Sequence, residues 1–203
     1  MTATALDLSA SALITVDVQI DTLDGQPLEV PGTSAVLSHL GRLTAAFRHA
    51  GRPIVHVVRL YLGDGSNAEP FRRAIVTSRP VLRPGTNGRS LARELLPTSA
   101  PDLDDDLLLG GQLQSLGADE VAMYKPRWGA FYETPLADHL AAHDIDTVVI
   151  AGCNFPNCPR ATIYEASERD LQVIAVADAT SGTTDQRLAD LAGIGVSVMS
   201  TDE

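Results

Sequence analysis

The sequence predicts an α/β fold built on a mostly parallel sheet, and three observations carry that prediction. Residues 146–178 read as strand, tight loop, helix and strand. Such a βαβ unit implies parallel neighbours and a right-handed crossover. Other apolar, β-branched runs, among them A-L-I-T-V-D-V at 12–18 and P-I-V-H-V-V-R at 53–59, are continuous rather than alternating. Continuous runs suit strands buried on both faces. Third, helical patterns separate the runs, while no repeat or linker divides the 203 residues, so one domain spanning 1–203 is expected.

The first strand, 12–18, carries Asp17 near its carboxyl end. A carboxylate there must be paired or used, and in open α/β sheets the carboxyl ends of strands carry the ligand site. Residues 31–50 predict a helix capped by Thr33 or Ser34, with Val36, Leu37, Leu40, Leu43 and Phe47 on one face and Gly51 as its stop. The second strand, 53–59, encloses His56, read as a core histidine. The turn-rich segment 60–67 should overhang the site. A short helix is expected at 68–76. From 77 to 116 the loop signals of Pro80, Pro84, Gly85, Asn87 and Gly88 dominate, with one helical segment at 90–96. This segment either closes a pocket or covers a sheet edge.

Asp102 to Asp106 read as a solvated acidic cluster. The L-L-L-G-G run at 107–111 lacks the Gly-Lys-Ser/Thr of a phosphate loop. A third strand at 120–125 ends in Lys125. Next comes a helix at 135–143, with Thr134 as N-cap and Pro135 in first position. The βαβ unit follows: a strand through 148–150, a helix after Cys158-Pro159 and a strand at 171–177 closed by Asp178. A helix at 185–192 and a short strand at 195–200 complete the chain.

Composition narrows the function classes. A net charge of -11 argues against nucleic acid or an anionic membrane surface as the main partner, and the acidity equally suits a solvated surface. The expected partner, a small-molecule substrate, follows from the candidate site residues. Two cysteines, five apart, make neither a disulfide framework nor, without a second Cys/His cluster, a zinc site. A reducing, cytoplasmic setting is therefore expected. The N-terminal residues lack a leader-like pattern, and no apolar run approaches the about 20 residues of a membrane span.

Proline is favoured at the first helical position, which places Cys158 at or next to a helix N-cap. The helix dipole and unpaired N–H groups there favour thiolate, and the same N–H groups suit an oxyanion. The other reading of Cys158 is a small buried residue. Asp17, Lys125 and Cys158 all fall at or just beyond the carboxyl ends of predicted strands. A base, a cation and a thiol gathered there form a nucleophilic site.

At D-V-Q-I-D (17–21), K-P-R-W-G-A-F-Y-E-T-P-L (125–136), G-C-N-F-P-N-C (152–158) and D-A (178–179), the sequence resembles the isochorismatase-like cysteine hydrolases over nearly its whole length. Streptothricin hydrolase is a candidate nearer relative that the motifs leave open. The resemblance implies an open, mostly parallel, Rossmann-like sheet of about six strands with helices on both faces. It implies an Asp17/Lys125/Cys158 triad, a cis peptide at Cys153-Asn154, and an oxyanion hole from the backbone N–H groups of Asn154 and Cys158.

Phe155 and Pro159 depart from the family's usual small hydroxyl and β-branched residues. Arg59-Leu60-Tyr61 stands where nicotinamidases carry Asp-x-His, so no metal and no cofactor are expected.

The expected activity is hydrolysis of a C–N bond in a small amide, lactam or ureido compound through a thioester. The alternatives are vinyl-ether hydrolysis with Asp17 as general acid, or a non-catalytic small-molecule-binding member. Gln19, Tyr61, Trp128, Phe131 and Tyr132 are candidate substrate contacts, although Phe131 alternatively packs beneath the following helix. Arg127 or Arg160 is a candidate partner for a substrate carboxylate. Members of the family are commonly oligomeric, so a homo-oligomer, dimer or larger, is expected.

Overall fold

The computed structural model describes residues 8–203; the first seven residues of the segment read above for a leader lie outside the described residues. Seven strands form one sheet. They are β1 (Ser11–Val16), β2 (Ile54–Val58), β3 (Gln114–Gly117), β4 (Glu120–Tyr124), β5 (Thr147–Gly152), β6 (Gln172–Thr180) and β7 (Ser197–Met199). Their order is β3-β4-β2-β1-β5-β6-β7, and every pairing is parallel except β3 with β4. Six of the strands lie in the stretches expected from the sequence. The seventh, β3, is a four-residue edge strand inside the loop-rich 77–116 segment, too short for a periodic signal.

The helices are α1 (Leu37–His49), α2 (Arg73–Ser78), α3 (Asp105–Leu109), α4 (Leu136–Ala142), α5 (Cys158–Ser167) and α6 (Asp185–Gly193). β1 shows why its apolar run is continuous. Ala12, Ile14 and Val16 join a core with Leu136 and Leu140 of α4, Ile163 of α5 and Leu191 of α6. Leu13, between them, points the other way, into a core with Leu40 and Leu43 of α1. Helices thus cover both faces, as a parallel sheet requires.

Several local expectations are corrected. Thr33 and Ser34 do not cap α1, because a 3-10 turn at Ser34–Val36 precedes it. Thr33 instead donates to Ser181 Oγ at 3.1 Å. Only Arg93–Leu95 of 90–96 is helical, as a 3-10 turn. The helix expected at 68–76 begins later, at Arg73. Pro135 is itself the N-cap of α4, which displaces Thr134 from that role.

The acidic cluster is not simply solvated: Asp104 caps α3 through the Leu107 N–H, and Asp105 pairs with Arg89 at 2.6 Å. Asp178 does not close β6, which runs on to Thr180. Leu91, Leu103, Leu108 and Leu116 of the 77–116 segment pack on Val58 and Ala122, so this stretch mainly covers the β4 side of the sheet.

His56 is the expected core histidine. Its Nδ1 lies 2.7 Å from Thr15 Oγ1, and its Nε2 lies 2.8 Å from Glu120 Oε1. Arg48 of α1 completes this buried group with two hydrogen bonds, of 2.6 and 2.7 Å, to the Glu120 carboxylate.

Between β1 and β5 the strand order reverses direction. A crevice opens at such a switch point, outside the carboxyl ends of the strands.

Candidate active site

Each reactive side chain sits just beyond a strand. β1 ends at Val16, and Asp17 takes a left-handed conformation, φ 53°, that turns the chain. Backbone in this region is sparsely populated by residues other than glycine and is held by its surroundings. Here the Asp17 N–H donates to the Val57 carbonyl at 2.9 Å. Lys125 follows β4, and its N–H donates to the Val58 carbonyl at 3.0 Å. Its ammonium lies 2.9 Å from Asp17 Oδ2 and donates to the Arg127 carbonyl at 3.1 Å.

The third side chain follows the turn between β5 and α5. Gly152 ends β5 with φ 128°, where a Cβ would overlap the backbone of Val16. Glycine there lets β5 run against β1 and brings the next residues over Asp17. The Cys153-Asn154 peptide is cis, in line with what the resemblance implies. Cys158 is itself the first residue of α5 and Pro159 the second, one position later than the proline rule suggested. Proline costs nothing at either place, because these N–H groups have no intrahelical partner.

The turn leaves two donors open. The Cys153 N–H donates to the Val16 carbonyl, the Phe155 N–H to the Ser181 carbonyl and the Asn157 N–H to the Asn154 carbonyl. The N–H groups of Asn154 and Cys158 have no acceptor among the described residues. Phe155 turns into the core instead of into the crevice, so its bulk does not narrow the site.

The electrostatics differ from expectation in one respect. Burial pushes the Cys158 thiol up to about 12, and the negative charge of Asp17 adds to the shift, while Lys125 opposes it. The helix N-terminus therefore does not give a preformed thiolate. For Lys125, burial works against the charge, but Asp17 and Cys158 outweigh it and hold the ammonium above the ordinary lysine range. Asp17 Oδ1 is buried without a hydrogen-bond partner among the described residues, available to a proton.

These groups open on a cavity of about 240 Å³, large enough for a small molecule only. Of the expected substrate contacts, Tyr61 and Trp128 line it, with Trp128 38% exposed. Gln19 does not line it. It is fully buried, donates to the carbonyls of Arg59 and Arg89, and accepts from the Arg59 N–H. Phe131 is in the core, with the Arg169 guanidinium 4.9 Å from its ring centroid. Tyr132 borders a neighbouring shallow recess shared with Arg127 and Glu165. Arg160 is exposed, and Arg127 donates to main-chain carbonyls.

The cavity walls include groups not foreseen from the sequence: Arg59, Glu69 and Arg72 after β2, and the 22–30 loop through Leu28 and Val30. Arg59 ends an apolar run just beyond the carboxyl end of β2, the sequence signal that marks it for the site. Its guanidinium donates to Glu69 Oε2 at 2.9 Å and to the Lys125 carbonyl at 2.8 Å. A cation beside the only carboxylate of that loop that reaches the cavity does not suit a divalent metal.

A family model described as isochorismatase domain matches residues 11–203. A protein of Arabidopsis thaliana described as a probable inactive nicotinamidase is 29% identical over 195 residues, covering 92% of this chain and 90% of its own. A ureidoacrylate amidohydrolase of Methylobacterium radiotolerans is 30% identical over 192 residues, covering 87% and 69%. A maleamate amidohydrolase of Pseudomonas putida is 31% identical over 170 residues, covering 81% and 69%. Among solved structures, an isochorismatase family protein from Desulfovibrio vulgaris superposes with a TM-score of 0.81 at 27% identity, covering 95% of each chain.

Proposed function

The chain belongs to the isochorismatase family, and on that footing we propose that it is a metal-independent cysteine hydrolase of a C–N bond in a small amide, lactam or ureido compound. The observation that carries the reading is the buried Asp17–Lys125 pair beside the Cys158 thiol, under two N–H groups with no acceptor of their own. The relatives named for ureidoacrylate and maleamate hydrolysis support the reaction class. An intact Asp/Lys/Cys set favours an active enzyme over a merely binding one, although one relative is described as probably inactive.

In this reading the substrate carbonyl oxygen accepts from the Asn154 and Cys158 N–H groups. Cys158 Sγ attacks the carbonyl carbon while its proton passes to Asp17 Oδ1. The raised thiol pKa makes this transfer part of the attack, not a step before it. The tetrahedral oxyanion is held by the two N–H groups; losing one such donor typically costs about 2.7–4 kcal/mol. Collapse breaks the C–N bond, and the Asp17 proton leaves with the amine. A water molecule then gives a proton to Asp17 and attacks the thioester carbonyl. Release of the acid returns the proton to Cys158.

Lys125 keeps Asp17 in place and balances the charge that moves between Asp17 and sulfur. Arg72, half-buried on the cavity wall with no carboxylate partner among the described residues, meets an anionic group on the substrate.

The test is ammonia or amine release from a panel of small amides, lactams and ureas, with acid-quenched protein digested and weighed for acylation at Cys158. Turnover of these compounds that survives in Cys158→Ala would overturn the thioester mechanism, and cleavage of a vinyl ether by that variant would point instead to ether-type chemistry with Asp17 as general acid.

A further inference from the structure

Glu69 carries a second piece of recognition that the proposed reaction does not use. It stands between β2 and α2, only 7% exposed, and lines both the cavity and the neighbouring recess beside Trp128. Its Oε2 accepts from Arg59 Nη2 at 2.9 Å. Its Oε1 is buried and finds no donor among the described residues. Leaving such an acceptor unpaired is costly, and more so for a charged group, so a fold that keeps one has a use for it.

The neighbouring cations do not supply the missing donor. Arg59 directs Nη1 to the Lys125 carbonyl, and Arg72 lies over the Phe71 ring, 5.2 Å from its centroid. The cavity is small enough that a molecule whose carbonyl sits at Cys158 reaches the other walls. Asp17 Oδ1 is the other buried carboxylate oxygen at this cavity without a partner among the described residues, and the reaction above assigns it to the thiol proton.

We propose that Glu69 Oε1 accepts a hydrogen bond from a second N–H of the substrate, so that the site selects ureido compounds over plain carboxamides. The inference rests on the C–N hydrolase reading and narrows it to a substrate class. A site built to bond a polar hydrogen rejects the analogue that lacks it far more strongly than a pocket rejects a missing methylene, because its own group is left unpaired.

The test uses an isosteric pair, propylurea and pentanamide, which differ by NH in place of CH₂. Ureas and amides differ in intrinsic reactivity, so the quantity read is the ratio of their kcat/KM values in the wild type against the same ratio in Glu69→Gln. Glutamine can keep the Arg59 contact through its carbonyl oxygen and then presents an NH₂ donor where Oε1 stood. The ratio is expected to fall at least about tenfold. A purely structural loss would lower both activities together and leave the ratio unchanged, which would overturn the proposal.

Binding to Cys158→Ala, read as the heat-stability gain from each compound, makes the same comparison without turnover. Tighter binding of propylurea that disappears in Cys158→Ala/Glu69→Gln supports the proposal, and equal binding overturns it. If the wild type cleaves neither compound but this binding preference is found, the hydrolase reading fails for these compounds while the role of Glu69 stands.

Discussion

The ammonium of Lys125, wholly excluded from solvent, lies 2.9 Å from Asp17 Oδ2 at the carboxyl ends of β4 and β1. Removing one member of a buried pair leaves the other charge uncompensated, typically at about 3–5 kcal/mol. Lys125→Met should therefore lower stability by about that much and reduce turnover by at least about a thousandfold, since it also removes the cation that opposes the Asp17 charge at sulfur. Adding Asp17→Asn should restore part of the stability and none of the activity. Urea unfolding of both variants checks this, and an inactive Lys125→Met of unchanged stability would sink the structural half of the argument.

Glu120 joins β4 to α1 through Arg48 and to β2 through His56. Burial alone would raise its pKa, but the hydrogen bonds from Arg48 and His56 pull it down to about 2. A depressed carboxyl contributes stability that is present above its ordinary value of 4.5 and is lost as pH falls toward 2. The shift corresponds to a contribution on the order of 3 kcal/mol. Burial also lowers the pKa of His56, against the pull of Glu120, so loss of stability should begin as pH drops below the ordinary histidine value of 6.5. Glu120→Gln should be less stable near neutral pH and show a flatter acid limb in Tm against pH.

Gln19 is a strut between Arg59 and Arg89, not a substrate contact. Gln19→Leu leaves two carbonyls and one N–H without their partner and should lower stability by about 2–4 kcal/mol. Chemical denaturation decides the matter: unchanged stability together with a raised KM would return Gln19 to the substrate.

Arg72→Ala tests the anion subsite. With substrates that carry a carboxylate, KM should rise about tenfold or more, while matched neutral substrates should be affected little. Equal effects on both would mean that Arg72 shapes the wall without reading charge.

The sheet was legible because its strands are apolar on both faces, as Ala12 to Val16 show, and because Gly152 and Cys158-Pro159 punctuate the organising turn. Asp17, Lys125 and Cys158 were legible as a group because all three follow such strands. Edge strand β3 was not, since four residues with a bulge carry no period. The cavity walls were hidden for another reason. Gln19 and Phe131 lie beside reactive residues in sequence, but their side chains turn into the protein. Glu69 and Arg72 belong to a loop whose fold depends on distant partners, such as the Lys125 carbonyl that anchors Arg59. The helix terminus that favours thiolate is visible in sequence, whereas the burial and the facing carboxylate that raise the thiol pKa are not.

Cys158 and Asp17 share one mobile proton, and Lys125 balances the charge that moves with it. The most direct test is the pH dependence of alkylation at Cys158 and Cys153, resolved by peptide mass spectrometry, in wild type, Asp17→Asn and Lys125→Met. Cys158 should titrate well above an ordinary thiol in the wild type, lower in Asp17→Asn and higher still in Lys125→Met, in keeping with the opposed charges on either side of the sulfur. Cys153, which burial raises to about 11, should move less in both variants. A Cys158 that titrates at the same pH in all three proteins, or below the ordinary range in the wild type, would contradict the account.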